Sequence, residues 1–107
     1  MSKVFDSELT IDNLLYEIRL GRYLDRELVQ KIQRVPDCYI NKQDFNKKTL
    51  LMYACYWDHK ESIKLLLQRG ADPLLVDINN NTALDWADLG IGQEREIAEI
   101  FDEYNNN

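Results

Sequence analysis

The sequence predicts an all-α chain, a solenoid of about three helix-turn-helix repeats with short hairpin-like tips projecting to one side. Three observations carry this reading. First, a pattern recurs: Asp44, Thr49, Leu51 and Ala54 reappear 33 residues on as Asp77, Thr82, Leu84 and Ala87. Second, the repeating stretch is punctuated like a pair of short helices. Thr49 is placed to cap the first, and the second ends at Gly70, where a residue without a Cβ takes φ > 0 unstrained. Third, such a pair leaves one apolar face uncovered, and 107 residues that are 45% hydrophobic supply about three units to cover one another.

Taken in order, residues 1–9 are polar and read as frayed or extended. A first helix is expected over about Ile11–Leu20, capped by Thr10, with Leu14, Leu15 and Ile18 as its apolar stripe. Gly21 marks a turn. A second helix over about Asp25–Arg34 buries Leu28, Val29 and Ile32 and stops at Val35-Pro36-Asp37. This pair has the outline of a repeat without its motif, as a terminal unit facing water should. Residues 10–43 are therefore read as an N-terminal capping repeat, 44–76 as the central repeat, 77–104 as a C-terminal capping repeat and 105–107 as a tail, all in one domain.

Within the central repeat, Asp44–Lys48 forms the tip. A helix carrying Leu51 and Ala54 follows, then a break at Trp57-Asp58-His59 and a second helix burying Ile63, Leu66 and Leu67. Pro73 bars further helix after Gly70. In the last repeat Asp77–Asn81 is the tip, and Asn79-Asn80-Asn81 suits a turn because Asn tolerates left-handed backbone. Thr82, with Asp85 three residues on, marks the next helix start. With one extra residue in the loop Asp88–Gln93, Ile63, Leu66 and Leu67 map onto Ile97, Ile100 and Phe101 of a last helix over about Glu94–Tyr104.

The residues Asp44, Thr49, Leu51, Ala54, His59, Ile63, Leu65, Leu66, Gly70, Ala71 and Asp72 give this stretch a close resemblance to the ankyrin repeat, strong over residues 40–104 and weak before. Lys47 and Asn80 stand where the family has Gly, Leu50 and Ala83 where it has Pro, and Met52 and Asp85 where it has His. The resemblance implies an ankyrin-type stack that binds protein, without saying which. It also implies that the variable, ligand-facing positions are Phe45, Asn46, Lys48, Tyr56 and Trp57, with Ile78, Asn79, Asn81, Leu89 and Gly90 as their counterparts in the next unit.

Composition narrows the function. Thirteen basic against 19 acidic residues give a net charge of −6. Up to Ala71 the chain is slightly basic; from Asp72 onward nine acids face one base, Arg95. Such an end repels phosphate backbones, so no nucleic acid is expected, and it would steer a basic partner surface or serve as a solvated cap. Lys42, Lys47 and Lys48 cluster near one tip, ordinary for a surface. No apolar run nears the roughly 20 residues of a membrane span, and no export signal is seen, so the expectation is a cytoplasmic protein, monomeric alone.

Chemistry is not expected. The single His59 opens a helix, and one His with two distant cysteines does not make a zinc site. Cys55 reads as a buried inert thiol and Cys38 as a loop residue. No phosphate loop or paired acid/base carboxylates are present, so no catalytic residue, metal or cofactor is assigned. Tyr56 and Trp57 stand out because the core positions around them are already filled, and aromatic anchors dominate many interfaces. The alternative for Trp57 is packing across the N-terminal helices. The expected function is non-catalytic protein binding through tips and concave face, as a stoichiometric inhibitor or immunity protein of a toxin or effector; the alternative is an adaptor or regulatory subunit.

Overall fold

The computed structural model describes residues 8–105. Six α-helices follow one another: α1 (Glu8–Arg19), α2 (Asp25–Gln33), α3 (Leu50–Tyr56), α4 (Lys60–Gln68), α5 (Ala83–Leu89) and α6 (Glu94–Asn105), with a 3₁₀ turn at Asp37–Tyr39. No strand occurs among the described residues. Helix α1 packs on α3 and α3 on α5, while α2 packs on α4 and α4 on α6. The first helices of the three pairs thus make one row and the second helices another, with the core between them.

The expected boundaries shift at two places. Helix α1 starts at Glu8, so Thr10 lies inside its first turn rather than ahead of it as a cap. Residues 1–7 of the segment expected to be extended lie outside the described residues. At the other end α6 runs through Asn105, and 106–107 lie outside. The core is otherwise the expected one: Leu14, Leu15, Ile18, Leu28, Ile32, Leu51, Ala54, Ile63, Leu66, Leu67, Ile97, Ile100 and Phe101 are all buried. Val29, also expected in the core, is only half-buried.

Helix α3 is seven residues long, too short to hold itself together, so caps and packing must do it. Thr49 Oγ1 accepts a hydrogen bond from Met52 N at 3.3 Å. Helix α5 has the reciprocal arrangement: Thr82 Oγ1 accepts from Asp85 N at 3.3 Å, and Asp85 Oδ2 accepts from Thr82 N at 2.9 Å. Gly70 closes α4 at φ +96°, as expected.

Helix α4 has a different device. His59, at its N-cap position, makes no side-chain cap bond. The cap comes from the neighbouring repeat: Asp25, in the first turn of α2, accepts from Glu61 N at 2.9 Å, Ser62 N at 3.0 Å and Ser62 Oγ at 2.7 Å. The far end of α4 returns the favour. Arg69 donates to the carbonyls of Ile32 (3.2 Å) and Val35 just past the end of α2, and pairs with Asp37 at 2.7 Å. A carboxylate at a helix start and a guanidinium at a helix end each oppose the local backbone dipole. The α2–α4 pair is thereby fixed at both ends.

The third unit is joined at the inter-helix turn. Lys60 Nζ lies 2.9 Å from Asp58 and 3.0 Å from Glu96 of α6, which holds its pKa above the ordinary lysine value. Ile91 N donates to Tyr56 O at 3.0 Å, drawing the loop of the last repeat onto the turn of the central one. That contact explains Gly90: a Cβ there would stand 2.2 Å from Tyr56 O.

Two outcomes follow from these contacts. Asp25→Ala should lower the urea-melt stability by about 1–2 kcal/mol, since it removes the cap on Glu61 N and Ser62 N, while the Ser62 hydroxyl keeps its bond to the Asp25 backbone carbonyl at 3.2 Å. A loss below about 0.3 kcal/mol would mean that α4 does not depend on α2 for its cap. The second concerns pH. Burial lowers the pKa of His59 below 6.5 despite the opposing pull of Asp25, a backbone hydrogen bond to Tyr23 and the charge of Asp58. A base whose folded pKa is depressed contributes stability above its unfolded value and loses it as pH falls through the folded one. It is the chain's one histidine. Melts between about pH 7 and 5 should therefore show a decline that His59→Asn removes; an unchanged slope in the variant would contradict this.

Candidate functional site

The two tips are built alike, at the repeat spacing. Asp44 Oδ1 accepts from Asn46 N and Lys48 N, both at 2.9 Å. Asp77 Oδ1 accepts from Asn79 N and Asn81 N, both at 2.9 Å. Each tight turn places its fourth residue at positive φ, Lys47 at 62° and Asn80 at 68°. These are the two positions where the family has Gly, so the left-handed backbone is retained with a side chain on it. Tip meets tip through Ile78 N, which donates to Asn46 O at 3.0 Å, and through Gln43 Nε2, which donates to Val76 O at 3.1 Å.

The second oxygen of each tip aspartate is bonded by an aromatic side chain from the helix that follows. Tyr53 OH donates to Asp44 Oδ2, and Trp86 Nε1 donates to Asp77 Oδ2 at 2.8 Å. Tyr53 and Trp86 again stand one repeat apart, each one residue beyond the positions Met52 and Asp85. The electrostatics follow from the bonding. Burial alone would raise the pKa of Asp77, but donation from Asn81, Trp86 and Asn79 and the positive charge of Lys48 outweigh it, and the value falls below 3.8. The Tyr53 hydroxyl is pushed far up, by burial first and by its bond to Asp44 second.

These bonds aim the rings at one place. Arg19 and Leu20 at the end of α1, Lys48 of the first tip, Met52, Tyr53 and Tyr56 of α3, Trp57 and Trp86 line a groove of about 480 Å³. Tyr56 sits at its centre, edge-on to Trp57 with ring centroids 5.0 Å apart and edge-on to Trp86 at 5.9 Å. The Lys48 ammonium lies 4.3 Å above the Trp86 ring and 5.8 Å from that of Tyr53. Beyond Arg19 a second hollow of about 500 Å³ opens between Asp12, Tyr16, Lys42, Gln43, Asp44 and Phe45. There the Arg19 guanidinium lies 5.4 Å from the Tyr16 ring and 5.7 Å from that of Phe45.

Of the positions expected from the sequence, the structure brings Lys48, Tyr56 and Trp57 into the groove and Phe45, 76% exposed, into the adjoining hollow. Asn46 acts in the tip scaffold through its backbone. Asn79 and Asn81 do the same for the second tip, while Ile78 and Leu89 are exposed and line neither hollow. Trp57 is divided in role. One face lines the groove, and the ring is also half-buried against the core, seated over Gly21, where a Cβ would come within 2.8 Å of it. Its indole Nε1 is buried without a hydrogen-bond partner among the described residues.

Sequence reasoning missed Arg19, Leu20, Met52, Tyr53 and Trp86. A signal existed for two of them: Tyr53 and Trp86 are aromatic at the same place in successive repeats. Arg19 and Leu20 lie where the N-terminal pair has no repeat motif to align.

The remaining chemistry-bearing groups lie apart. Cys55 is buried, and burial first, then the Asp58 charge, holds its thiol pKa far up; Cys38 is exposed and also free. The described residues hold no group of three or more His, Cys, Asp and Glu side chains arranged to take a metal ion. None of their helices is long and apolar enough to cross a membrane.

Comparison with known families agrees with this architecture. The family model for ankyrin repeats in three copies matches residues 18–105, from the end of α1 to the end of α6. The chain belongs to the ankyrin repeat family, whose members are generally protein–protein interaction modules and typically non-catalytic.

Proposed function

We propose that this chain is a non-catalytic binding module that engages a partner protein through the groove between its first tip and the first-helix row, and that it works by stoichiometric masking, as an inhibitor or immunity protein does. The observation that supports the site is the aromatic groove itself. Six aromatic rings (Tyr16, Phe45, Tyr53, Tyr56, Trp57 and Trp86) and three cations (Arg19, Lys42 and Lys48) line two adjoining hollows of the chain. Exposed aromatic and Arg side chains set in a recess are the usual composition of interface hot spots.

A second reading, an adaptor joining two proteins, is favoured by a separate observation. Glu99, Asp102 and Glu103 of α6 are exposed on the second-helix row, so the molecule offers an acidic face apart from the cationic groove. That face would take a basic partner surface and speed its encounter at low salt. Glu96 of the same helix pairs with Lys60 at 3.0 Å.

Affinity capture with the intact chain tests the site. Tyr56→Ala should weaken retention of the captured partner by at least about tenfold. Lys64→Ala, on the exposed side of α4, should not change it. Trp57→Ala should lower stability as well as binding, because it empties the seat over Gly21. Equal capture by the wild type and Tyr56→Ala, with both folded, would move the binding site elsewhere. An equimolar complex in which the partner's activity is lost supports masking; one partner on the groove and another displaced only by Glu99→Gln with Glu103→Gln supports the adaptor.

A further inference from the structure

The charge of the groove runs against that of the chain. The molecule carries −6 overall, and four of its cations elsewhere are in ion pairs: Lys42 with Asp12, Lys60 with Asp58 and Glu96, Lys64 with Glu61, Arg69 with Asp37. Arg19 and Lys48 are different. Each lies over aromatic rings, and neither has a carboxylate within ion-pair distance among the described residues.

For Lys48 this follows from the construction of the tips. The acids nearest it are Asp44 and Asp77, and both oxygens of each are already taken: by Asn46 N, Lys48 N and Tyr53 OH in the first, by Asn79 N, Asn81 N and Trp86 Nε1 in the second. The ammonium is left over the Trp86 ring with hydrogen-bond donors to spare. On the other side of the groove the nearby acids are committed as well, Asp12 to Lys42 and Glu17 to the Tyr23 hydroxyl. The other lining side chains are apolar or aromatic: Leu20, Met52, Tyr53, Tyr56, Trp57 and Trp86.

We propose that the occupant of this groove is an acidic peptide segment of the partner protein, one in which carboxylates flank an apolar or aromatic side chain. One carboxylate meets Arg19 and another Lys48, and the apolar or aromatic side chain packs on the aromatic lining. This deepens the protein-binding reading given above and rests on it. A guanidinium already held over the Tyr16 and Phe45 rings meets a carboxylate with little further ordering. A groove of about 480 Å³ lies within the usual range for burying one large side chain and its neighbours. Cations over rings would also suit a single-stranded nucleic acid, but the nine acids against one base from Asp72 onward oppose a phosphate chain running on past the groove.

The test uses the two tryptophans, both of which line the groove and are the only ones in the chain. The probe is the blocked peptide acetyl-Glu-Asp-Leu-Phe-Asp-Glu-amide, which carries no tryptophan, titrated against the full-length chain while indole emission is followed. The expected result is a saturable change that weakens at least about tenfold when every acid of the probe becomes Gln, and that weakens with added salt. Arg19→Gln and Lys48→Gln should each weaken binding several-fold with melting unchanged, and Lys64→Gln should not. Equal binding of the Gln-substituted probe, no saturable change, or tighter binding of an oligouridylate of similar length would each overturn the proposal. The two levels separate cleanly. If Tyr56→Ala abolishes partner capture but the acidic probe does not bind, the chemistry assigned to the groove is wrong and the protein-binding reading stands. If capture ignores Tyr56→Ala, that reading fails independently of the probe.

Discussion

The bond between a tip aspartate and the aromatic ring of the following helix is the constraint on which the rest depends. It appears twice, as Asp44 with Tyr53 and Asp77 with Trp86. One carboxylate does two jobs in each case: one oxygen closes the turn from below, the other holds the ring from the side. Hydrogen bonds to an ionised carboxylate are among the stronger ones available, and both here are partly sheltered from water. Tip angle, ring direction and the path into α3 and α5 are therefore not independent. The same bond that makes the repeat also turns Tyr53 and Trp86 into walls of the groove. Lys48 feels the Asp77 charge but has no carboxylate oxygen within ion-pair distance among the described residues.

The two helix rows are held by different physics. The first row, α1, α3 and α5, is joined by apolar packing over short helices and by the tip-to-tip bonds. The second row adds the reciprocal capping of α2 and α4 by Asp25 and Arg69, and the Lys60 bridge from the central turn to α6. Because stability in a stack is a sum over neighbours, such inter-repeat bonds count for more than the propensity of any one helix. They leave the first row free to carry Tyr56, a half-buried ring that is not part of the core cluster. A binding face can then be built there without weakening the stack.

Much of this was legible before any coordinates. The spacing between Asp44 and Asp77, the caps Thr49 and Thr82, and the stop at Gly70 are local signals, and local signals decide short helices. Helix α1 was mispositioned at its start because Thr10 looked like a cap, whereas the helix begins two residues earlier at Glu8. The capping of α4 by Asp25 could not be read from the sequence. It joins residues 36 and 37 positions apart that have no meaning as a pair until the repeats are stacked. The site was half legible for the same reason. Tyr56 and Trp57 were visible as aromatics the core did not need, and Trp57 proved to serve both core and groove. Arg19 lies in the unit without a motif, so only packing of α1 on α3 brings it to Lys48's groove.

The tip bond itself is the most direct thing to measure. In a proton–nitrogen NMR spectrum of the intact chain the indole Nε1–H signals of Trp57 and Trp86 are separate reporters, one without a carboxylate partner and one bonded to Asp77. Acidification should move the Trp86 signal as Asp77 takes up its proton, with a midpoint below the ordinary value of 3.8, while the Trp57 signal holds still up to the onset of unfolding. A Trp86 signal indifferent to pH through that range would show that the ring is not held by the tip and that the groove has some other foundation.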